Sequence, residues 1–304
     1  MIIGAVKQIW RYPVKSMGGE QLADCTVGEL GIPGDRGWAL RDEKKREITN
    51  GKNIPLLMQA SARYRQQPRD DYVPHVDMTL NDGATIGSDD ENAGGRLSQA
   101  FGRSVTLWSR QPASNKAHYR RASIISRLIG FKLVRDQLPR LLRMNNVQSQ
   151  IREVFSREPD EPVPDLTQLP LELLEFTSPL GTYFDAFPIH VLTTASLAAM
   201  AQLNPGARWD PRRFRPNFLI ETKDNLEGLV EASWAGRTLR IGEVELKCEI
   251  PTVRCGMTMQ AQVGLPKDPS ILRSIVKEAD QNLGIYASVV CHGSVALNDS
   301  VELL

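Results

Sequence analysis

The chain has 304 residues, of which 41% are hydrophobic and 24% charged, proportions typical of a globular protein in water. Its 37 basic and 36 acidic side chains leave a formal net charge of +1, so no overall attraction for nucleic acid or for an anionic membrane surface is expected. Neither a signal peptide nor an apolar run long enough for a transmembrane segment (about 18 residues) is recognisable, which favours a cytoplasmic location.

Short β-strands are predicted through residues 1–118, which form the first predicted domain. A strand ends at Pro13, two more flank the turn at 31–34, and a hairpin is predicted around Asn81–Asp82–Gly83. Because the strands are short and separated by glycine and proline turns, a barrel or sandwich is favoured over a parallel sheet.

Residues 119–170 are predicted to be a helical segment followed by a linker. The stretch RRASIISRLIGFKLVRDQLPRLLR has apolar residues near helical spacing, many basic residues and a helix breaker at Pro139. It is either a basic surface for a membrane or partner, or a helical hairpin with a solvated charged face, which is the commoner structure. The proline-rich residues 156–170 then indicate an extended linker or lid, so a domain boundary is predicted there.

The second predicted domain covers residues 171–304. It begins with LELLEFTSPLGTYFDAFPIHVL, and a helix is then predicted over TTASLAAMAQLN, where Thr193 or Thr194 stands near the N-cap and the helix N-terminus can hold an anion. Strands then return, including RCGMTMQAQV, with hairpins predicted around Gly242–Glu243 and Asn298–Asp299 and one further helix over DPSILRSIVKEADQN. The whole pattern predicts a β-rich α/β fold.

Four clusters of polar side chains stand out, and three of them share a pattern of cationic or hydroxyl side chains at strand ends, on turns stiffened by Pro or Gly. The four are Lys15 and Ser16; Arg36; Arg212, Arg213 and Arg215 with Asn217; and Arg254 beside Cys255. An arginine fork suits phosphate oxygens, so converging clusters would form a pocket for a phosphorylated or polyanionic small molecule. Alternatively, each cluster is a solvated turn, with Asp35 and Arg36 forming a weak surface ion pair.

The four cysteines, Cys25, Cys248, Cys255 and Cys291, are too few for a disulfide scaffold and form no C-x-x-C pair for structural zinc. Cys255 follows Arg254, whose charge favours the thiolate, the nucleophilic and metal-binding form; the alternative is a buried strand thiol. The other three are predicted to be structural.

The remaining candidates carry weaker signals. The four histidines are scattered without metal-ligand spacing, and His190, in an apolar strand, is predicted to be a satisfied core residue. Asp185 is a candidate polar group near the site, or otherwise a turn aspartate. No nucleophile elbow, zinc-protease motif, P-loop or dinucleotide fingerprint occurs.

An ordered set of stretches resembles the MOSC proteins, a family that covers the C-terminal domain of molybdenum cofactor sulfurases and its stand-alone relatives. The stretches are YPVKSMGGEQL, GIPGDRGWAL, FPIHVLTTASLAAM, FRPNFLIE, and RC followed by a threonine-containing strand. The N-terminal part resembles the β-barrel-like domain that precedes MOSC in amidoxime-reducing proteins. The resemblance implies a β-barrel-like MOSC domain over 171–304, a smaller β domain over 1–118, and a helical insertion between them.

The resemblance also implies a cofactor and its ligands. The family binds the molybdenum cofactor (Mo-molybdopterin), and the cysteine of its RC motif ligates the metal, which corresponds to Cys255. The pterin phosphate and ring edges would be held by the matching residues Lys15, Ser16, Arg36, Thr193, Thr194, Arg215 and Asn217, with Arg254 completing the cationic group. A soft thiolate suits a metal that is already bound by sulfur.

The expected function is a molybdenum-dependent oxidoreductase that reduces N-oxygenated, for example N-hydroxylated, small molecules. The chain departs from the reducing relatives after RC, where GMTMQAQVGLPKDP replaces a TTVDPDTG-like run, so the same substrate range does not follow. Four scattered cysteines cannot hold an iron–sulfur cluster, so a separate ferredoxin- or cytochrome-like donor is expected. The alternatives are a cofactor carrier or sulfur-transfer protein with a Cys255 persulfide, and a binding module for an unrelated phosphorylated ligand.

Overall fold

The computed structural model describes residues 1–122 and 145–304. The strands are β1 (Ile2–Arg11), β2 (Glu20–Leu22), β3 (Asp24–Val27), β4 (Trp38–Asp42), β5 (Glu47–Ile48), β6 (Ser61–Tyr64), β7 (Val76–Thr79), β8 (Thr85–Gly87), β9 (Val105–Ser109), β10 (Ile189–Thr193), β11 (Phe218–Thr222), β12 (Thr238–Ile241), β13 (Val244–Val253), β14 (Asn282–Cys291), β15 (Gly293–Ala296) and β16 (Ser300–Leu303). The α-helices are α1 (Ala93–Phe101), α2 (Lys116–Tyr119), α3 (Asn145–Phe155), α4 (Glu172–Glu175), α5 (Thr194–Leu203) and α6 (Pro269–Glu278), and short 3₁₀ helices cover Pro55–Gln59, Pro211–Arg213, Val230–Trp234 and Gly256–Met259.

Seven strands close into a barrel in the order β1-β11-β10-β14-β13-β12-β16, and β16 pairs back with β1. Only the β10–β11 pair of this ring is parallel. The short β2 pairs with β1 outside the ring. The strands of a closed barrel leave no edge exposed within the ring, which protects it from edge-to-edge association.

Apolar side chains fill the barrel. On β1 the buried residues Ile3, Val6 and Ile9 are three apart, because bulges between Ile2 and Gly4 and between Val6 and Gln8 reset the alternation of faces. On β13, Val244, Leu246 and Cys248 follow the ordinary spacing of two and are fully buried. The barrel therefore has one continuous apolar core to which the first and the last strands both contribute.

The N-terminal region adds two three-stranded sheets, β5-β4-β9 and β6-β7-β8, with α1 packed beside them. Their core is separate from that of the barrel and includes Met17, Leu40, Leu57 and Leu97. Val14 forms a bridge to Trp38, so the Lys15 turn connects β1 of the barrel with these sheets. The Lys15 turn therefore lies where the two β-rich parts meet.

Helices α5 and α6 cover a third apolar cluster outside the barrel. Each begins at a side-chain cap, at Thr193 for α5 and at Asp268 for α6. Among the described residues, the structure contains no helix that is both long and apolar enough to cross a membrane.

The β-rich fold class with a barrel is confirmed, as are the β7–β8 and β12–β13 hairpins and helices α5 and α6. The hairpin predicted around Asn298–Asp299 is wrong, because β15 pairs with β3 whereas β16 pairs with β1 and β12 to close the barrel. The strand predicted after Arg254 is also wrong, since Gly256–Met259 is a 3₁₀ helix. The prediction of a helix broken at Pro139 lies outside the described residues, and the boundaries 1–118, 119–170 and 171–304 stay predictions.

Candidate functional site

Two adjoining cavities lie beside one end of the barrel. We call the smaller one, of about 60 Å³, the cationic cavity; it is lined by Arg36, Phe184, Asp185, Phe187, His190, Arg213, Phe214, Arg215, Asn217, Val253, Arg254, Cys255, Met257 and Tyr286. We call the larger one, of about 380 Å³, the leucine-walled cavity, after the apolar side chains of residues 151–174 on one of its walls. Cys255, Asp185 and Tyr286 line both cavities, so they mark the junction between them.

Two turn arginines meet at one aromatic ring in the cationic cavity. The guanidinium carbons of Arg36 and Arg215 lie 4.7 and 4.2 Å from the centre of the Tyr12 ring. Both arginines have a left-handed backbone, with φ of 50° and 56°. Such values are uncommon for residues other than glycine and are retained where the surrounding structure holds them. The turns therefore fix the direction of both guanidinium groups.

The two arginines differ in their charge partners. Arg36 is paired with the buried Asp35. Arg215 donates from Nη1 to the Met17 carbonyl, but its buried Nη2 has no hydrogen-bond partner among the described residues. Burial, followed by repulsion from Arg36, lowers the pKa of Arg215 to about 10. Arg215 thus carries an incompletely satisfied positive charge next to the cavity.

Arg254, at the end of β13, provides a third guanidinium. Its Nη2 donates to the Phe214 carbonyl at 2.9 Å, and its backbone N–H donates to the Gln281 carbonyl at 2.8 Å. Its buried Nε has no partner in the part of the chain that the structure describes. Burial lowers its pKa. The side chain is therefore fixed at one end and still has a free donor.

His190 on β10 lines the same cavity. Burial, followed by the charge of Arg254, lowers its pKa to about 3, so the imidazole is neutral. Its Nδ1 is 3.4 Å from the Arg215 carbonyl, while its buried Nε2 has no partner among residues 1–122 and 145–304. The predicted burial of His190 in the core is confirmed. A Cβ at Gly284, whose φ is +85°, would lie 2.2 Å from Nε2, so only glycine leaves room for this ring.

Lys15 and Asp185 form an ion pair at the edge of the larger cavity. The buried Lys15 Nζ donates to Asp185 Oδ1 and to the Tyr183 carbonyl, each at 2.8 Å. Confinement raises the pKa of Asp185, but Lys15 and then Arg36 lower it well below its usual range, so the carboxylate is ionised. The Asp185 side chain remains 56% exposed, so it presents its charge to the cavity.

Cys255 is half-buried and stands just before the Gly256–Met259 helix. Its carbonyl accepts hydrogen bonds from the Thr258 N–H and hydroxyl, each at 3.1 Å. By contrast, Cys25 and Cys248 are buried, and burial raises their pKa to about 12. Cys291, predicted to be structural, is exposed at the end of β14. Only Cys255 combines exposure to the cavities with neighbouring arginines.

A second segment holds the Cys255 loop in place. The buried Arg157 donates from Nη2 to the Arg254 carbonyl at 2.9 Å and from Nε to Gln281 Oε1 at 3.0 Å. A Cβ at Gly256 would lie 2.2 Å from Ser156 Oγ, so glycine permits this close packing. The residues that follow α3 are therefore attached directly to the Cys255 loop.

Two predicted ligands, Thr193 and Thr194, do not reach either cavity. Thr193 Oγ1 accepts from the Ser196 N–H at 3.1 Å and donates to Glu231 Oε2 at 2.8 Å. Thr194 Oγ1 lies 3.2 Å from Thr222 Oγ1. The N-terminus of α5 is thus capped by its own side chain and bonded to Glu231, whose Oε1 has no partner among the described residues.

The remaining predicted residues are mainly engaged within the protein. Ser16 Oγ accepts from the Gly51 N–H at 2.9 Å and does not line a cavity. Asn217 lines the cationic cavity, but its Oδ1 accepts from the His190 N–H at 3.0 Å and its Nδ2 donates to Asp35 at 2.9 Å. Both side chains therefore shape the site through hydrogen bonds to other residues.

Three arginines of one turn have three different environments. Arg212 pairs with Asp210 at 2.8 Å. Arg213 is fully buried and donates to main-chain carbonyls, including that of Pro266 at 2.8 Å. Only Arg215 has a spare donor at the cavity. Sequence reasoning also missed Tyr12 and Tyr286; Tyr12 could have been noticed because it directly precedes the Pro13–Lys15 turn.

The donor set fits a bound anion next to a sulfur-bound metal. Three buried nitrogens, Arg215 Nη2, Arg254 Nε and His190 Nε2, lack partners in the described protein, and a cysteine lines the same cavity. No group of three or more His, Cys, Asp or Glu side chains among the described residues could hold a metal ion. A metal here would therefore have to bring most of its own ligands, as the metal of a dithiolene cofactor does.

The comparisons with known proteins agree with this architecture. The MOSC domain model matches residues 181–302, and the model of the MOSC N-terminal beta barrel domain matches residues 3–111. The chain belongs to the MOSC family. A search of the curated proteins gave no match.

Similar solved structures include the YUAD protein from Bacillus subtilis, which is 13% identical with a TM-score of 0.41 over 99% of this chain and 95% of that one. YiiM from Geobacillus stearothermophilus is 14% identical with a TM-score of 0.31, over 39% and 54%. YiiM from Escherichia coli is 16% identical with a TM-score of 0.27, over 39% and 54%.

Proposed function

We propose that this protein binds the molybdenum cofactor and reduces N-oxygenated small molecules. The observation that carries the proposal is the convergence of Arg36, Arg215, Arg254, His190 and Cys255 on one cavity. A buried polar group without a partner costs about 1–3 kcal/mol, so Arg215 Nη2 and Arg254 Nε show that these two side chains are not fully satisfied by the described protein alone. MOSC domains are linked to molybdenum cofactor proteins, which favours this cofactor as the ligand.

The proposed cofactor ligands form two groups, namely positively charged arginines and one soft thiolate. Arg36, Arg215 and Arg254 would neutralise the cofactor phosphate through charge-assisted hydrogen bonds. The Cys255 sulfur would ligate the metal, since soft thiolates suit a centre that already has sulfur ligands. When bound, the cofactor supplies a two-electron redox centre, while the protein binds, orients and tunes it.

The chain's own residues prepare this arrangement. The Arg36 and Arg215 turns fix two guanidinium groups over the Tyr12 ring before any ligand arrives, which lowers the entropic cost of binding. The neutral His190 can donate or accept a hydrogen bond without adding charge. Asp185, kept ionised by Lys15, places one negative charge at the junction of the cavities.

We further propose a separate protein as the electron donor. The four cysteines of the chain lie apart, two of them buried in cores, so they do not assemble an iron–sulfur cluster. Free thiols persist in a reducing compartment, which supports a cytoplasmic location. The MOSC domain is proposed to span 171–304, behind a β domain at 1–118 and a helical insertion at 119–170.

The test begins with protein produced in medium supplemented with molybdate. Elemental analysis is expected to find molybdenum bound to the protein, and reduced viologen is expected to support reduction of benzamidoxime. Bound cofactor without turnover, together with transfer to an apo-enzyme, would instead identify a carrier. A phosphorylated ligand without metal would identify a binding module and overturn the proposal.

A further inference from the structure

The larger cavity has one markedly apolar wall. That wall contains Ile151 and Phe155 from α3, Leu166 and Leu169 from the following loop, and Leu173 and Leu174 from α4. Most of these side chains are only half-buried, since the cavity lies in front of them. Six apolar side chains facing one cavity of about 380 Å³ provide a surface on which an apolar group can be buried.

The rest of the lining is largely polar. It includes Lys15, Glu47, Asn50, Lys52, Arg121 and Asp185. The Lys52 ammonium lies 5.7 Å from the centre of the Phe155 ring, so the polar and the apolar parts of the lining also contact each other. The cavity is therefore amphipathic, and Cys255 and Asp185 stand where it joins the cationic cavity.

The apolar wall belongs to a part of the chain that neither family model covers, since the matches end at 111 and resume at 181. The wall is nevertheless attached to the Cys255 loop, because Arg157 donates to the Arg254 carbonyl and Ser156 packs on Gly256. Its apolar surface thus stands in a fixed position relative to Cys255. An element outside the matched domains can differ between relatives while the cofactor site stays the same.

A pterin with its phosphate consists largely of hydrogen-bonding groups, so it would gain little free energy from contact with the apolar wall. We propose that this wall selects substrates with an apolar body, an aromatic ring or a branched alkyl group, whose N–H-bearing head is bound by Asp185 beside Cys255. Leucine burial supplies the affinity for the body. The exposed Asp185 carboxylate can accept hydrogen bonds from the N–H groups of the head. This inference rests on the proposed function for the chemistry but not for the binding.

The binding test uses two amidines that share a head group and differ in their body. Benzamidine and acetamidine are titrated into the full-length protein by calorimetry, with and without bound molybdenum. We expect benzamidine to bind at least about tenfold more tightly, with a negative heat-capacity change from apolar burial. Equal affinities for the two amidines in the unmutated protein would overturn the proposal, whatever the variants do.

Wall variants locate the binding. Leu169→Asn and Leu173→Asn are each expected to weaken benzamidine binding about tenfold and to change acetamidine binding less than twofold. The matched control is Leu30→Asn, at a 39% exposed leucine that does not line the cavity, and it should change neither affinity. Benzamidine affinity that stays unchanged in both folded wall variants would contradict the proposed location.

Turnover measurements distinguish the proposed apolar substrate pocket from the proposed reductase activity. In molybdenum-loaded protein the ratio of kcat/KM for benzamidoxime to that for acetamidoxime should fall about tenfold in either wall variant, mainly through KM. Wall-dependent benzamidine binding without reduction of either amidoxime would refute the reductase function and support the pocket. Reduction of both substrates with a ratio that the wall variants leave unchanged would support the reductase and refute the pocket.

Discussion

The cationic cavity and the N-terminus of α5 are both electropositive, and both were predicted to hold an anion, but the side chains at the two places differ in how far the protein itself satisfies them. At α5 the Thr193 hydroxyl caps the helix and the Ser196 and Thr193 hydroxyls bind Glu231. At the cavity Arg215, Arg254 and His190 each retain a buried nitrogen without a partner in the described chain. A helix terminus that is satisfied by its own side chains offers little to a ligand.

The carboxyl groups at the two places, Glu231 beside α5 and Asp185 at the cavities, also differ in their burial and in the direction of their pKa shifts. Glu231 is buried beside α5, and burial raises its pKa. Asp185 is exposed to the cavities, and Lys15 and Arg36 lower its pKa despite its confinement. One carboxyl group therefore serves the internal structure of the protein, whereas the other presents a charge. Four predictions follow this contrast, from the largest expected effect to the smallest.

The largest effect is expected for Cys255→Ala. Removal of the only cysteine that lines either cavity should lower the molybdenum content at least about 100-fold, to background, because the two cavities then offer no thiolate. Elemental analysis of the purified protein measures this. The control, Cys248→Ala inside the barrel, should retain molybdenum within about twofold, and equal losses in both variants would refute the assignment.

Next comes Arg215→Ala, with Arg212→Ala as its matched control on the same turn. Loss of a charge-assisted contact of about 1.5–3 kcal/mol should weaken cofactor binding about 10- to 100-fold. The melting temperature of the cofactor-free form should change little, since loss of the Nη1 bond to the Met17 carbonyl and of the Tyr12 contact is offset by relief of repulsion from Arg36. Arg212, paired with Asp210, should affect neither property. A collapse of cofactor-free stability in Arg215→Ala would show a structural role instead.

These contrasts show why sequence reasoning selected several of the residues that line the two cavities. Lys15, Arg36, Arg215, Arg254 and Cys255 were selected because stiff turns and strand ends fix the direction of a side chain. Whether such a side chain faces a cavity or a neighbouring carboxylate depends on residues far along the chain. Residue type and local turn chemistry therefore identified candidates but could not separate Arg215 from Arg212 and Arg213, which have different partners.

His190 illustrates what local pattern cannot show. Its apolar strand correctly predicted burial, but the missing partner of Nε2 depends on Gly284, almost a hundred residues away. The pairing of the strands also depends on residues that are far apart in the sequence. The β12–β13 hairpin was predictable because both strands adjoin one turn, whereas β16 pairs with β1 because closure of the barrel outweighs the local turn at Asn298–Asp299.

The pH dependence of stability tests the neutral state of His190. Its pKa of about 3 lies below the usual 6.5, so the unfolded chain binds this proton more readily. The resulting stabilisation is complete above pH 6.5 and is lost as the pH falls towards 3, about 2 kcal/mol of it by pH 5. Urea unfolding of the cofactor-free protein at pH 7 and pH 5 measures this. His190→Asn should remove that part of the pH dependence, and an identical slope in the variant would contradict the assignment.

The smallest effect is expected at α5, where it tests the other half of the comparison. Thr193→Ala removes the N-cap and one hydrogen bond to Glu231, so the free energy of unfolding should fall by about 1 kcal/mol. Molybdenum content, measured at a temperature where the variant is folded, should be unchanged because Thr193 reaches neither cavity.

Glu231→Gln tests the same terminus through the pH dependence of stability. Because burial raises the pKa of the Glu231 carboxyl, the unmutated protein loses stability as the pH rises through the folded pKa. This variant should remove that loss at neutral pH and leave the cofactor in place, whereas loss of cofactor in either variant would show that the α5 terminus takes part in binding.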